Sequence, residues 1–378
     1  MTHPNLNSLF TCPAGDNPEM SLDESAGASV GDLDTPCLIV DICRFERNIR
    51  HACDFAYTAG KRLRPHAKTH KCSLIARKQL EAGAIGICAA KPSEAEALVR
   101  AGIRGVLITG PVSTPLKAER LMAVRALDPS LIAVVESVEG IRLLEEAAVR
   151  RGLTFDALVD IDAGQGRTGA LPGDVPALAA RIAASSALRL RGVQAYAGHT
   201  QHIESRDERR KTSITAMSRA AEIYRRLALD YGCDIFSGSG TGTYDIDIEI
   251  PELTELQLGS YIFMDAEYLG IEWKTGSAPF MPALTLLATV VSAGRDGYVT
   301  IDAGLKSLYR DGGSPRVVGR ESSGWRYEWF GDEYGKIIVP EGTPPPRPGE
   351  RIELVISHCD PTINLFDRMY AVRDGKVE

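Results

Sequence analysis

From about residue 45 to 270, short apolar runs alternate with amphipathic stretches. The runs RLRPHAK (62–68), AIGICAA (84–90), GVLITG (105–110), LIAVVES (131–137), ALVDIDA (157–163), LRGVQAYAG (190–198), CDIFSG (233–238) and LQLGSYIFM (256–264) read as strands. Between them, segments such as PSEAEALVRAG and VEGIRLLEEAAVRRG place apolar residues at helical spacing. Eight strands, most followed by a helix, predict an α/β fold closed as a (β/α)8 barrel of the TIM type over 45–270. Beyond residue 270 the texture changes. ALTLLATVVSAG, GYVTIDAG, WRYEWFG, KIIVP and RIELVISH are strand-like, with Gly and Pro turns and little helical periodicity. They predict a smaller β domain over 271–378. TPCLIVD, within 35–44, reads as a strand joining that domain, and residues 1–34 as a flexible leader.

Composition narrows the class. The 378 residues are 44% hydrophobic and 25% charged, as in an ordinary globular enzyme or binding protein. A net charge of −7 argues against nucleic acid as a partner. The longest apolar run, ALTLLATVV (283–291), is about half a bilayer crossing, so no membrane partner is expected. Eight cysteines without a CxxC pair read as free thiols of a reducing compartment, which makes the cytoplasm the expected location.

The cations concentrate in KRLRPHAKTHKC (61–72). In a strand, Arg64, His66 and Lys68 share one face, and Lys68 sits near the C-terminal end, where barrels place catalytic groups. A lysine buried beside two cations is expected to lose proton affinity and to gain nucleophilicity toward a carbonyl. The plain alternative is a solvated basic strand end. FSGSGTGTYD (236–245) is a Gly-rich turn whose backbone N–H groups and the hydroxyls of Ser239, Thr241 and Thr243 suit a phosphate. Gly259 and Ser260 in ELQLGSYIFMD offer a second such pair. Arg167, in the loop VDIDAGQGRTG, is either a surface arginine or a donor to a ring nitrogen or carboxylate. In VISHCDPTINLFD, His358 and Asp360 lie two apart at the end of an apolar run, so they share a face while Cys359 points away. One imidazole and one carboxylate suit a divalent metal, or equally a metal-free hydrogen-bonded pair.

Taken together, RPHAKTHK, GICAAKPSEAEAL, VDIDAGQGRTG, GVQAYAGHTQH, SGSGTGT, TELQLGSYIFMD, DAGLKS and SHCDPTINLFD resemble a family of pyridoxal-phosphate enzymes. It is the alanine-racemase-type family (fold type III) that contains D-threonine aldolase, 3-hydroxy-D-aspartate aldolase and D-serine dehydratase. The resemblance implies that Lys68 carries the cofactor and that His66 lies against it. It places Ser239, Gly240, Thr241, Gly259, Ser260 and Tyr261 around the phosphate, and Arg167 and Tyr196 near the ring. It makes His358 and Asp360 ligands of a divalent metal, manganese or magnesium with zinc as an alternative. It puts His202 at the substrate hydroxyl. A small D-amino acid is the implied substrate, and a homodimer the implied assembly.

Two details favour the aldolase over the dehydratase or a racemase. The ligand motif is H-x-D, whereas the dehydratases resemble H-x-C, and Gln201–His202 follows the aldolase pattern. Three departures from that pattern, Ala90 for glutamine, Tyr334 for histidine and an extra His199, predict an altered substrate pocket.

Overall fold

The computed structural model describes residues 26–320 and 322–378. Most of the expected leader lies outside the described residues. Residues 27–30 hydrogen-bond to the C-terminal hairpin, Gly27 N–H to Val377 and Val30 N–H to Gly375.

Strand β1 (Cys37–Asp41) is the first strand among the described residues and belongs to the second sheet described below. The helix Ile42–Thr58 follows without a loop, its N-terminus capped by the Asp41 carboxylate, which accepts from Arg44 N–H at 3.0 Å. Eight parallel strands come next: β2 (Arg62–Leu63), β3 (Ile87–Ala89), β4 (Val106–Ile108), β5 (Ile132–Val135), β6 (Phe155–Ile161), β7 (Leu188–Ala195), β8 (Ile235–Gly238) and β9 (Glu255–Leu256). They run in the order β2-β9-β8-β7-β6-β5-β4-β3. A bridge between His66 and Cys88 joins the two ends, with Cys88 N–H donating to Pro65 at 2.8 Å. The sheet is therefore a closed barrel, as the alternation of runs and helices predicts.

Strand periodicity then sorts the side chains. Residues such as Ile87, Val106, Ile108, Ala133, Val135, Ala157 and Val159 pack outward into the large core shared with the helices. Their neighbours Cys88, Leu107, Ile132, Val134, Leu158 and Ile235 form a separate apolar layer inside the barrel. On β6 the same face carries Asp156 below that layer and Asp160 above it. Asp156 is salt-bridged to Arg189 and Arg191, and Asp160 reaches the barrel mouth.

The second sheet comprises β1 with β10 (Leu284–Arg295), β11 (Tyr298–Ile301), β12 (Arg316–Val317), β13 (Arg326–Trp329), β14 (Gly335–Ile338), β15 (Arg351–Val355), β16 (Met369–Arg373) and β17 (Lys376–Val377). β1 lies between β10 and β16, antiparallel to the first and parallel to the second. No helix among the described residues is long and apolar enough to cross a membrane.

One glycine shows how tightly the barrel is drawn. Between Ala157/Leu190 and Leu158/Gly192 the β6–β7 register shifts by one residue. Gly192 there has φ +144°, and a Cβ on it would lie 1.9 Å from the Ile235 carbonyl oxygen. Gly192→Ala is expected to destabilise the fold by at least about 2 kcal/mol, seen as a lower midpoint in urea unfolding.

Candidate active site

A cavity of about 270 Å³ opens at the C-terminal ends of the barrel strands. Lys68 stands at its rim. Beyond β2 the chain stays bonded to its neighbours through Arg64 N–H to Leu256 and His66 N–H to Leu258, and then tightens into a 3-10 turn, Ala67–Thr69. The His66 imidazole caps this turn, its Nδ1 accepting from Lys68 N–H at 3.2 Å. Nε2 therefore carries the ring proton and donates to Thr109 Oγ1 at 3.0 Å. Burial pushes His66 down to about 3, so the ring is neutral.

The turn corrects the expectation that Arg64, His66 and Lys68 act as one cationic face. Arg64 is buried and faces downward, where Glu255 takes it in a fork at 2.8 and 2.9 Å. Lys68 Nζ instead contacts the Asp360 carboxylate, carried by the second domain. Burial works to lower the Lys68 amine, but the Asp360 carboxylate outweighs it, and the net shift is upward. The expected loss of proton affinity is thus reversed in the cofactor-free protein. The side chain remains 43% exposed, so the amine is open to a ligand.

The Gly-rich turn forms one end of the cavity. Ser239 adopts φ +71°, and the chain then presents Gly240 and Thr241 to the lumen. Opposite them are Gly259 and Ser260, where a Cβ on Gly259 would come 2.8 Å from Thr69 Oγ1. The backbone N–H groups of Gly240, Thr241, Gly259 and Ser260 find no backbone or side-chain acceptor among the described residues. Four unsatisfied donors around one hollow are the chemistry of an anion cup. Ser239 and Tyr261 do not line it. The Tyr261 ring is fully buried, its hydroxyl 3.0 Å from Gln79 Nε2, and it contributes only through its backbone, which donates to Thr241 Oγ1.

The floor is polar. Gln194 donates to Asp160 at 2.9 Å and to the Thr109 carbonyl at 3.0 Å. Gln257 donates to Gln194 at 3.1 Å and to Ser237 at 2.9 Å. The Arg167 guanidinium lies 5.5 Å from the centre of the Tyr196 ring, and both line the cavity. Ala90 lines it too, whereas His199 and Tyr334 are exposed and do not.

The second domain closes the mouth. β15 ends at Val355, so His358 and Asp360 are not on a strand. His358 precedes the short helix Cys359–Ile363, and Asp360 lies in its first turn. Their common direction comes from that turn. Asp360 Oδ1 lies 3.4 Å from Ser260 Oγ. Burial would raise the Asp360 carboxyl, yet the Lys68 ammonium and then the His358 ring hold it below the usual range. His358 Nδ1 meets Asp311 Oδ2 at 3.3 Å, which leaves Nε2 for another ligand. His202 completes the group, with Nδ1 3.2 Å from Glu267 Oε1 and its ring 4.6 Å from that of Tyr268. Burial, followed by His358, pushes His202 down to about 4.

The family described as "Alanine racemase, N-terminal domain" matches residues 40–267, and the "Putative serine dehydratase domain" matches residues 283–372. A D-threonine aldolase of Arthrobacter sp. is 39% identical over 93% of this chain and 92% of its own. The chain belongs to the alanine-racemase-type family that includes such aldolases. A 3-hydroxy-D-aspartate aldolase of Paracoccus denitrificans (strain Pd 1222) is 36% identical over 93% of this chain and 92% of its own. The crystal structure of D-threonine aldolase from Filomicrobium marinum superposes with a TM-score of 0.88. It is 38% identical and covers 93% of this chain and 95% of that one.

Pyridoxal phosphate is the cofactor expected for this family, and the cavity fits it. The anion cup takes a phosphate, Lys68 Nζ is within the same cavity, and Arg167 and Tyr196 flank the remaining space. Asp160, Gln194, Gln257, Tyr268, Glu267 and Asp311 were not among the expected site residues. For Asp160 and Gln194 the signal was present, as polar residues on the inward face of otherwise apolar strands.

Asp160 makes the floor pH-sensitive. Burial pushes its carboxyl up to about 7, with Glu136 adding to the rise and Gln194 opposing it. An unfolded aspartate titrates near ~4. Between pH ~4 and ~7 the folded state binds the extra proton, so this contribution is complete below the lower value and is lost as pH rises through the upper. Cofactor-free Asp160→Asn should therefore match wild type most closely near pH ~4 and exceed it most above pH ~7. Melting temperatures across that range check this.

Proposed function

We propose that the protein cleaves D-β-hydroxy-α-amino acids of the D-threonine type to glycine and an aldehyde, using pyridoxal phosphate and a divalent metal. It is an enzyme of the aldehyde-lyase class, like the aldolases it resembles over nearly the whole chain. The observation that carries the reading is the meeting of Lys68 with Asp360 at the cavity mouth, beside His358 and His202. A racemase has no need of that group.

Pyridoxal phosphate, when bound, supplies the electron sink that makes bonds at the α-carbon labile. The residues would divide the remaining work. Lys68 binds the cofactor covalently. The cup of Gly240, Thr241, Gly259 and Ser260 holds its phosphate, and Arg167 and Tyr196 orient the ring. His358 Nε2 and an Asp360 oxygen would hold a manganese or magnesium ion, with Asp311 fixing the imidazole. His202, neutral, takes the β-hydroxyl proton at Nε2. The oxygen's electron pair forms the carbonyl as the Cα–Cβ bond breaks. The α-carbon keeps that bond's electrons and takes up a proton to give glycine.

The family's β domain commonly packs against a neighbouring barrel. Leu305, Tyr309, Phe330 and Tyr334, each more than a third exposed, support a homodimer of that kind. The described cysteines are all unpaired, which supports a cytoplasmic location.

Incubation with D-threonine, D-phenylserine and D-3-hydroxyaspartate plus Mn²⁺ or Mg²⁺ should release glycine and the matching aldehyde. A 2-oxo acid with ammonia and no glycine would make it a dehydratase and overturn the aldolase. Lys68→Ala should abolish both turnover and the visible absorbance of the purified protein. Asp311→Asn should weaken metal binding by about 10- to 100-fold, measured by titrating chelator-stripped enzyme with Mn²⁺.

A further inference from the structure

The residue before His202 makes contacts that no step above uses. Gln201 is 1% exposed. Its Nε2 donates to Thr243 Oγ1 at 2.9 Å and to the Ala197 carbonyl at 3.3 Å, and its Oε1 accepts from Gly242 N–H at 3.0 Å. The Gly-rich loop rests on it. A Cβ on Gly240 would lie 2.4 Å from Gln201 Oε1, and one on Gly242 would lie 2.0 Å from the Gln201 carbonyl oxygen. Both glycines are therefore required by Gln201 as much as by any ligand.

A second buried side chain spans the same gap. Arg209 is fully buried, and its Nε donates to the Gly242 carbonyl at 2.9 Å. Its other nitrogens donate to Ile203 at 2.5 Å, to Glu204 at 3.1 Å and to Glu272. Thr243 is held from behind by Asp247 at 2.6 Å, and Asp247 in turn by Ser213 at 2.6 Å. The loop that cups the anion and the segment that bears His202 thus share one set of buried hydrogen bonds. Neither can shift alone without leaving a polar group unpaired away from water.

We infer that Gln201 is a positioning residue that couples occupancy of the anion cup to the placement of His202. An anion drawn onto the Gly240 and Thr241 N–H groups fixes the loop, the loop fixes Gln201, and Gln201 fixes the next residue in the chain. The coupling is reciprocal, so loosening Gln201 weakens cofactor binding as well. This inference rests on the cup being the cofactor's phosphate site and on His202 being the base.

Hydrogen exchange on the full cofactor-free chain tests it, with pyridoxal 5'-phosphate and the phosphate-free pyridoxal as probes. In wild type, pyridoxal 5'-phosphate should slow exchange in 239–243 and in 198–206 together, and pyridoxal should slow neither to the same degree. In Gln201→Asn, pyridoxal 5'-phosphate should protect 239–243 alone, and its dissociation constant should rise about tenfold. Arg209→Lys is the second variant and should lose the same protection in part. Ser213→Ala loosens the loop from its far side, and should raise the dissociation constant while 198–206 stays protected in the loaded state. Equal protection of 198–206 in wild type and Gln201→Asn, or with both probes, would overturn the coupling. Absence of any cofactor binding by wild type would instead remove the reading on which it rests. The comparison of the two probes needs no variant, so it stands even where a substituted chain fails to fold.

Discussion

The site depends on a buried carboxylate that belongs to neither ligand set. Asp265 is fully buried where the barrel ends. Its Oδ2 accepts from Cys359 N–H at 3.0 Å and its Oδ1 from Tyr268 N–H at 3.1 Å. Burial pushes its carboxyl up, and these two N–H groups are what offset the loss of water. Ala266 N–H to Ile356 at 2.9 Å and Glu267 N–H to Ser357 at 3.3 Å extend the same seam. The seam fixes 356–360 in register against 265–268. His358 and Asp360 flank the residue that Asp265 grips, so their height above Lys68 follows from that grip. His202 is set from the same side, because Glu267 and Tyr268 in the seam are its neighbours.

Below the mouth, the barrel interior changes character by layer, and the layers answer different needs. The apolar ring of Leu107, Ile132, Leu158 and Ile235 keeps the centre dry and closed. Above it, Asp160, Gln194, Gln257 and Ser237 form a chain in which each link is hydrogen-bonded. A satisfied polar floor holds its dipoles fixed before any ligand arrives, which is the condition for electrostatic work without reorganisation. A cavity floored with aliphatic side chains would be more stable and would do less.

Much of this was legible in the sequence, because the barrel rests on local periodicity. Each of the eight runs overlaps a barrel strand, but LQLGSYIFM meets β9 only at Leu256 and then turns into a 3-10 helix, Ser260–Ile262, and the second sheet resumes at Leu284. The failures are tertiary. RLRPHAK reads as a seven-residue strand, but Pro65 has no N–H to give to a ladder and only Arg62–Leu63 stay regular. That break sends Arg64 down and Lys68 up. The partner of Arg64 is Glu255, 191 residues away, and that of Lys68 is Asp360, 292 away. No local pattern encodes either pairing, so the sign of the Lys68 shift was out of reach. The strand setting expected for His358 and Asp360 was wrong. Spacing of two suggested a strand face, and the chain had already turned into a helix.

The same turn bears on which reaction the site is built for. Cys359, between His358 and Asp360, is fully buried, and burial beside Asp265 pushes its thiol up. Its sulfur packs in the apolar core and not at the cavity mouth. What remains is an imidazole and a carboxylate, a borderline and a hard donor. In the metal-dependent reaction proposed above, that set would suit manganese or magnesium better than zinc, which gains most from thiolate. A divalent cation held there would bind the β-oxygen and could either acidify it or help it leave. Removing the β-hydroxyl proton is the step an aldol cleavage requires, whereas a dehydration must break the carbon–oxygen bond. The His202 imidazole, lowered to about 4, is suited to taking that proton and not to protonating a departing hydroxyl, which favours the proposed aldol cleavage.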